Sequence, residues 1–387
     1  MIVHLTPNSR QNTRRRRSSS LLVHQPMARL SRTSRPLASQ VDPVVVERAA
    51  EEARRQAEIE QELQLARDIQ QGLLLEAVPR LPGWELTAVS LPARDLGGDL
   101  YDFLPLEDGL QGIMIGDVSG KGLPAALRMA VARTVFRFES RRGDTPGPTL
   151  AAVNRGVLTE IPQGMVTMLY AVLDPRAGSL RFANAGHTYP LLMNGAVNEL
   201  ELDGLPLGVD IDSDYGEITA QLDPGDSVLM YTDGVVEAAG PDEEYFSFDR
   251  LSTILDDCRS LKPRAMVSRL LSEMRAWSGS NLQSDDVTMV VLRRRLANMC
   301  EELYSIGVDS LGVEQAEELW TEFARQMPVA LSEAGVDEWV ELLSSQARPL
   351  QGRLGRGRAR ELLQQLRLAV EDYRIVGNND SPGGSSP

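Results

Sequence analysis

The chain has 387 residues, a formal net charge of −15, 42% hydrophobic and 25% charged residues, which bounds it to one large soluble globular domain with extensions, or two domains. The acidic balance argues against nucleic acid as the main partner, because phosphate backbones select Lys/Arg-rich surfaces, and the sequence holds no apolar run of the roughly 18 residues that a membrane span needs. Its two cysteines, Cys258 and Cys300, form no CxxC pattern, which argues against a disulfide scaffold and a Cys-ligated zinc and fits a reducing, cytoplasmic setting, and His187 alone of three histidines lies outside the N-terminal tail, which removes a His-rich metal centre.

Residues 1–41 hold the run Arg14-Arg15-Arg16-Arg17 before Ser18-Ser19-Ser20 and read as a disordered basic tail. An organelle transit peptide shares that composition, but a basic arm, or sequence upstream of a start at Met27, fits better. Residues 42–77 form a linker helix. Asp42-Pro43 is a helix opening, and Ile59, Leu63, Ala66, Ile69 and Leu73 recur at spacings of three and four. That apolar face either packs on its own domain or pairs two chains as a short parallel coiled coil.

Residues 80–294 alternate strands with turns. Strands are expected at Glu85–Ala93, Leu100–Pro105, Gly112–Val118, Met165–Leu173, Ser179–Ala183, Leu191–Met193, Val197–Leu202, Ser227–Thr232 and Val287–Arg293. Asp174-Pro175-Arg176-Ala177-Gly178 and Asn194-Gly195 are hairpin turns. Helices are expected at Leu123–Phe138, Arg250–Cys258 and Arg264–Trp277. Many hairpins with few strand-helix-strand crossovers imply an α+β fold, an antiparallel sheet system covered by helices.

Residues 296–376 read as a helical extension without chemistry of its own, with helices at Gly312–Gln326, Gly335–Ser345 and Arg358–Tyr373. Within QGRLGRGRAR, glycine density disfavours helix, so Gly352 to Gly357 is expected to be a flexible basic loop. A solvated connector is favoured there over a docking site for an acidic partner. Residues 377–387, rich in Gly, Ser and Pro, read as a disordered tail.

The chemistry lies in the middle. Four places put aspartate at a strand end: Gly97-Gly98-Asp99, Gly116-Asp117-Val118, Thr232-Asp233-Gly234 and Ser284-Asp285-Asp286. One such site is usually a turn. Four in one domain suggest gathered carboxylates, which repel unless cations neutralise them, and a carboxylate set without His or Cys suits Mg²⁺ or Mn²⁺. Gly97 and Gly98 would let the backbone approach closely. Asp102, an odd number of residues from Asp99, should face the other way and serve structure. Gly120-Lys121 is not a P-loop, since GxxxxGK needs glycine where Ile115 stands.

The order LGGDLYDF, GDVSGKGLPAAL, NAGHTYPLL, LPLGV, YTDGVVEA and SDDVT resembles the SpoIIE/RsbU-type branch of the metal-dependent serine/threonine phosphatases, the PPM or protein phosphatase 2C-like (PP2C-like) family. ELQLARDIQQGLL resembles the linker helix that often precedes that domain. The resemblance implies a β-sandwich flanked by helices, with two metal ions, Mn²⁺ or Mg²⁺, at one edge. Asp117 would bridge both; Asp99 and the carbonyl of Val118 would hold one, and Asp233 and Asp285 the other. Catalysis would depend chiefly on Asp117 and Asp233. Asp286 would stand behind the ligands. Lys121, where many relatives have His, either attracts phosphate or is a solvated loop residue, and an ammonium is a poor general acid near neutrality. His187 reads as structural, with a substrate-facing role open. Arg94 either meets substrate phosphate or lies on the surface, and Glu237 would tie the metal loop to its neighbour.

The resemblance implies hydrolysis of phosphoserine or phosphothreonine in a regulatory phosphoprotein of STAS type, an anti-sigma-factor antagonist. A pseudophosphatase, and a scaffold acting through the C-terminal helices, are the alternatives.

Overall fold

The computed structural model describes residues 43–74, 78–143, 145–161, 164–241, 244–281 and 283–379. The expected tail at residues 1–41 and the last eight residues lie outside these. The chain divides into two compact units, with the boundary between Leu65 and Ala66. That boundary falls inside the first helix, α1 (Pro43–Leu74). On α1, Ile59 and Ile69 are exposed. None of the described helices is long and apolar enough to cross a membrane.

From Ala66 onward, two five-stranded sheets form the frame, and every strand pair in them is antiparallel. The first contains β1 (Trp84–Leu91), β6 (Leu191–Met193), β7 (Val197–Glu199), β9 (Ser227–Tyr231) and β10 (Val287–Arg294), in the order β1-β10-β9-β6-β7. The second contains β2 (Leu100–Pro105), β3 (Gln111–Val118), β4 (Val166–Asp174), β5 (Ser179–Ala185) and β8 (Ile218–Gln221), in chain order.

Side chains alternate faces along each strand, and the burial follows that period. Tyr101, Phe103, Ile113, Ile115, Leu169 and Ala171 of the second sheet meet Val228, Met230, Val290 and Leu292 of the first in one core. The intervening residues Leu100, Met114, Val118 and Met168 face α2 (Leu123–Glu139) and α3 (Pro146–Glu160). On the opposite side, Leu229, Tyr231, Met289 and Val291 pack on α4 (Phe248–Cys258) and α5 (Pro263–Ser278). The result is helix, sheet, sheet, helix, the layered sandwich expected.

Residues from Met299 onward form α6 (Met299–Leu311), α7 (Val313–Gln326), α8 (Val336–Ser345), α9 (Ala347–Leu354) and α10 (Arg356–Asn379) around a core of their own, which includes Phe323, Trp339 and Leu366. Sequence reading missed α3, β8, α6 and α9. Gly156 interrupts the helical pattern of α3, yet Leu150, Val153 and Val157 are fully buried in it, and that packing decides. The flexible basic loop is corrected too. Residues 352–357 are helical on both sides of a single kink at Gly355, whose φ of 78° suits glycine. Buried Leu350 and Ala359 outweigh the glycine penalty, and Arg353 pairs with Glu318 and Glu322 of α7. Residues 377–379, placed by sequence in the tail, continue α10.

The extension is not an appendage. Glu302 on α6, wholly buried, takes ion pairs from Lys262, Arg293 and Arg295, and Glu85 on β1 takes pairs from the same three cations. Asp372 on α10 pairs with Arg295 and Arg80. Burial alone would raise the Glu302 carboxyl, but the three cations hold it down at about 2.

Candidate active site

The strand period that fills the inter-sheet core also builds the site. Asp117 shares the parity of Ile113 and Ile115 on β3, and Asp99 that of Tyr101 and Phe103 on β2. Thr232 and Thr288 share that of Met230 and Val290 on the other sheet. At this end of the sandwich the apolar pairs give way to acid. Thr232 Oγ1 donates to Asp99 Oδ2 at 2.9 Å and accepts from the Thr288 amide at 2.9 Å. Thr288 Oγ1 in turn donates to Ser90 Oγ at 2.9 Å. These threonines were not singled out by sequence; their signal was position, Thr232 directly before Asp233 and Thr288 two residues after Asp286.

The four predicted carboxylates are linked electrostatically through Asp117, which is felt by Asp99 and itself feels Asp233 and Asp285. Burial, then the negative charges of Asp117 and Asp286, push Asp99 well above the usual carboxylate range, with hydroxyls of Thr288 and Thr232 opposing. Burial, then Asp233, Asp285 and Asp286, push Asp117 up to about 7. Asp233 is raised by burial and by Asp285, and Lys121 opposes.

Close backbone approach makes this possible. A Cβ on Gly98 would stand 2.7 Å from the Val118 carbonyl oxygen and 3.0 Å from Asp117 Oδ1. A Cβ on Gly97 would strike the Asp286 carboxylate, and one on Gly234 the Asp286 carbonyl. Asp286 itself is nine-tenths buried and spent on backbone: Oδ1 accepts from the Ala93 amide at 2.8 Å and Oδ2 from the Gly98 amide at 2.7 Å. It staples the loop before β2 to the start of β10.

Lys121 is not a free loop residue. Its Nζ donates to the Ser284 carbonyl at 2.7 Å and lies 2.8 Å from Asp285 Oδ2. Among the described residues Glu237 does not tie the metal loop to its neighbouring helix. Its side chain has no described hydrogen bond or ion pair, and burial with the charges of Asp233 and Asp285 raises its carboxyl. Arg94 is exposed and likewise has no described partner. Asp102 faces away, as its parity predicts. It is buried, with Arg137 donating to it at 2.6 and 2.9 Å and Arg133 Nε lying 3.2 Å away, which ties β2 to α2.

His187 lies one layer behind. Its Nδ1 shares a 2.9 Å hydrogen bond with Thr167 Oγ1, and Thr167 pairs with Asp117 across β3 and β4. Asn184 holds the His187 backbone through both its amide and its carbonyl. Burial pushes the imidazole down to about 4, the Tyr231 carbonyl opposing. A buried neutral histidine binds its proton in the unfolded chain first. Stability should therefore be intact above pH 6.5 and decline as pH falls from 6.5 through 4, by up to about 3 kcal/mol. Urea unfolding of the wild type and His187→Gln across that window tests this: the variant should lack that part of the slope, and identical slopes would remove the assignment.

The donor set fits hard divalent cations. It is all oxygen, its members raise one another's pKa, and the Gly98 cradle leaves Asp117 and the Val118 carbonyl open to a shared neighbour. Among the described residues no three acidic, histidine or cysteine side chains already close into a ligand cage. Four like charges repel, and Lys121 takes up one of them.

A sequence model of the family described as Stage II sporulation protein E (SpoIIE) matches residues 107–295. The phosphoserine phosphatase RsbU of Bacillus subtilis is 30% identical over 245 residues, covering 62% of this chain and 72% of RsbU. Protein IcfG of Synechocystis sp. is 31% identical over 265 residues, which cover 60% of this chain and 41% of IcfG. Among solved structures, the SiaA-PP2C domain of Pseudomonas aeruginosa superposes with a TM-score of 0.56 at 24% identity, over 62% of this chain and 98% of that domain; this likeness speaks to fold.

Proposed function

This chain belongs to the SpoIIE/RsbU-type branch of the PP2C-like protein serine/threonine phosphatases, and from that premise we propose that it hydrolyses phosphoserine or phosphothreonine on a regulatory phosphoprotein with two divalent ions, Mn²⁺ or Mg²⁺. Asp117 would contribute to both ions, Asp99 and the Val118 carbonyl to one, and Asp233 and Asp285 to the other. Two such ions supply a water of lowered pKa and neutralise charge on the phosphoryl oxygens. The protein's own part is positional. Thr232 orients Asp99, Asp286 fixes the Gly98 peptide, and the His187–Thr167 pair backs the strand that carries Asp117. Lys121 sits against Asp285, where its ammonium offsets one carboxylate and lies ready to attract phosphate.

The observation that carries this reading is Asp117, whose carboxyl is pushed up by burial and by acids from two distant segments. A pseudophosphatase or pure scaffold gives no reason for so costly a cluster. The similarity to the phosphoserine phosphatase RsbU supports the activity, and the family resemblance of the motifs is the ground for a substrate of STAS type in a partner-switching system and for a cytoplasmic setting. The exposed Ile59 and Ile69 support pairing of two chains through α1. The test is dephosphorylation of candidate phosphoproteins in Mn²⁺ with Asp233→Asn as control. Release of phosphate by the wild type alone is expected; equal activity in the variant contradicts the metal assignment.

A further inference from the structure

The loop between β1 and β2 carries the Gly97-Gly98-Asp99 turn, and its peptide groups belong to no sheet ladder there. Buried backbone N–H and C=O groups need partners. Side chains from the start of β10 and from α1 supply them. Asp286 takes the amides of Ala93 and Gly98. The other residue is Gln70, near the end of α1. Its Nε2 donates to the Gly97 carbonyl at 2.7 Å, and its Oε1 accepts from the Gly97 amide at 3.2 Å. One planar carboxamide thus satisfies both polar groups of one residue, as a neighbouring strand would.

Gln70 is buried, with 8% of its surface exposed, although its neighbours Ile69 and Gln71 are exposed. One turn earlier on the same helix face, Arg67 Nε donates to the Asp95 carbonyl at 3.0 Å and its guanidinium pairs with the Asp95 carboxylate. Gly97 has no side chain with which to anchor itself, and a Cβ there would strike Asp286. Its position is therefore set from outside. Asp99 follows two residues later, with its carboxylate held by Thr232.

We propose that Gln70 is a positioning residue of the phosphatase: its carboxamide fixes the Gly97 peptide and so sets the Asp99 carboxylate for the divalent ion. This rests on the two-ion reading above and deepens it. Removing the carboxamide frees both peptide groups of Gly97 while leaving every proposed ligand in place. Residues that orient metal ligands in this way typically change metal affinity by about 10–100-fold when replaced.

The experiment uses the full chain, with Mn²⁺ binding followed by calorimetry and p-nitrophenyl phosphate hydrolysis followed against Mn²⁺ concentration. Gln70→Met keeps length and apolar volume and loses both hydrogen bonds. Its Mn²⁺ affinity should fall by about 10–100-fold, with kcat at saturating Mn²⁺ near the wild-type value. Amide exchange across residues 93–99, measured in chelator, should accelerate. Gln71→Met, on the exposed side, should match the wild type in all three. If Gln70→Met melts below the assay temperature, Gln70→Glu retains the acceptor for the Gly97 amide and should still bind Mn²⁺ more weakly than the wild type. Wild-type Mn²⁺ affinity in a folded Gln70 variant overturns the proposal, whatever happens to its melting temperature. A wild type that binds no Mn²⁺ and hydrolyses nothing overturns the two-ion reading itself, and this inference with it.

Discussion

Asp117→Asn will leave a folded protein that hydrolyses phosphoserine at least about a thousandfold more slowly, a loss of ~4 kcal/mol of transition-state stabilisation. The argument is positional. Asp117 is the one carboxylate whose charge is felt together with those of Asp99 on one side and Asp233 and Asp285 on the other. An amide of the same shape keeps the packing of β3, where Ile113, Ile115 and Val118 are fully buried, and removes the charge. In chelator the variant should also melt higher, because it no longer holds a half-buried negative charge against Asp233, Asp285 and Asp286. Loss of activity with a gain of metal-free stability is the signature of a residue kept for function rather than folding. Enzyme assay and calorimetry on the same two proteins check both halves. A variant that retains activity, or one that loses activity only because it unfolds, contradicts this role.

Glu302→Ala should cost about 3–5 kcal/mol of unfolding free energy, the usual penalty for removing one partner from a buried ionic cluster. The cations left behind are Lys262, Arg293 and Arg295, all nearly buried, with Glu85 and Asp372 as the remaining acids. The pH dependence follows the same logic. The Glu302 carboxyl is held at about 2, below its ordinary value of 4.5, so its contribution is present above pH 4.5 and is lost as pH falls toward 2. Urea titrations of wild type and variant should converge in acid and diverge above pH 4.5. A change within about 0.5 kcal/mol at neutral pH would mean that the extension is only loosely attached. The network also argues against treating the C-terminal helices as a detachable binding module, since their first helix contributes an acid to the edge of the catalytic sandwich.

What the sequence made legible was contiguous. Each of Asp99, Asp117, Asp233 and Asp285 sits at or near the end of its own strand, and strand parity alone turns Asp102 away toward Arg133 and Arg137. The central strands were readable because period-two burial writes itself directly into Ile113, Ile115, Val228 and Met230. What stayed hidden joins distant segments. Gln70 reaches Gly97, Asp286 reaches Gly98, and Glu85 shares three cations with Glu302, and none of these partners marks the other by spacing. The basic run near Gly355 misled for a related reason: glycine propensity is local, while the burial of Leu350 and Ala359 is decided by the rest of the bundle.

The most direct test is a calorimetric Mn²⁺ titration of the wild type, Asp99→Asn and Asp285→Asn. Two equivalents should bind to the wild type, with each variant losing or sharply weakening a different one. No binding by the wild type, or two equivalents at undiminished affinity in both variants, would contradict a pair of ions held by these strand-end aspartates.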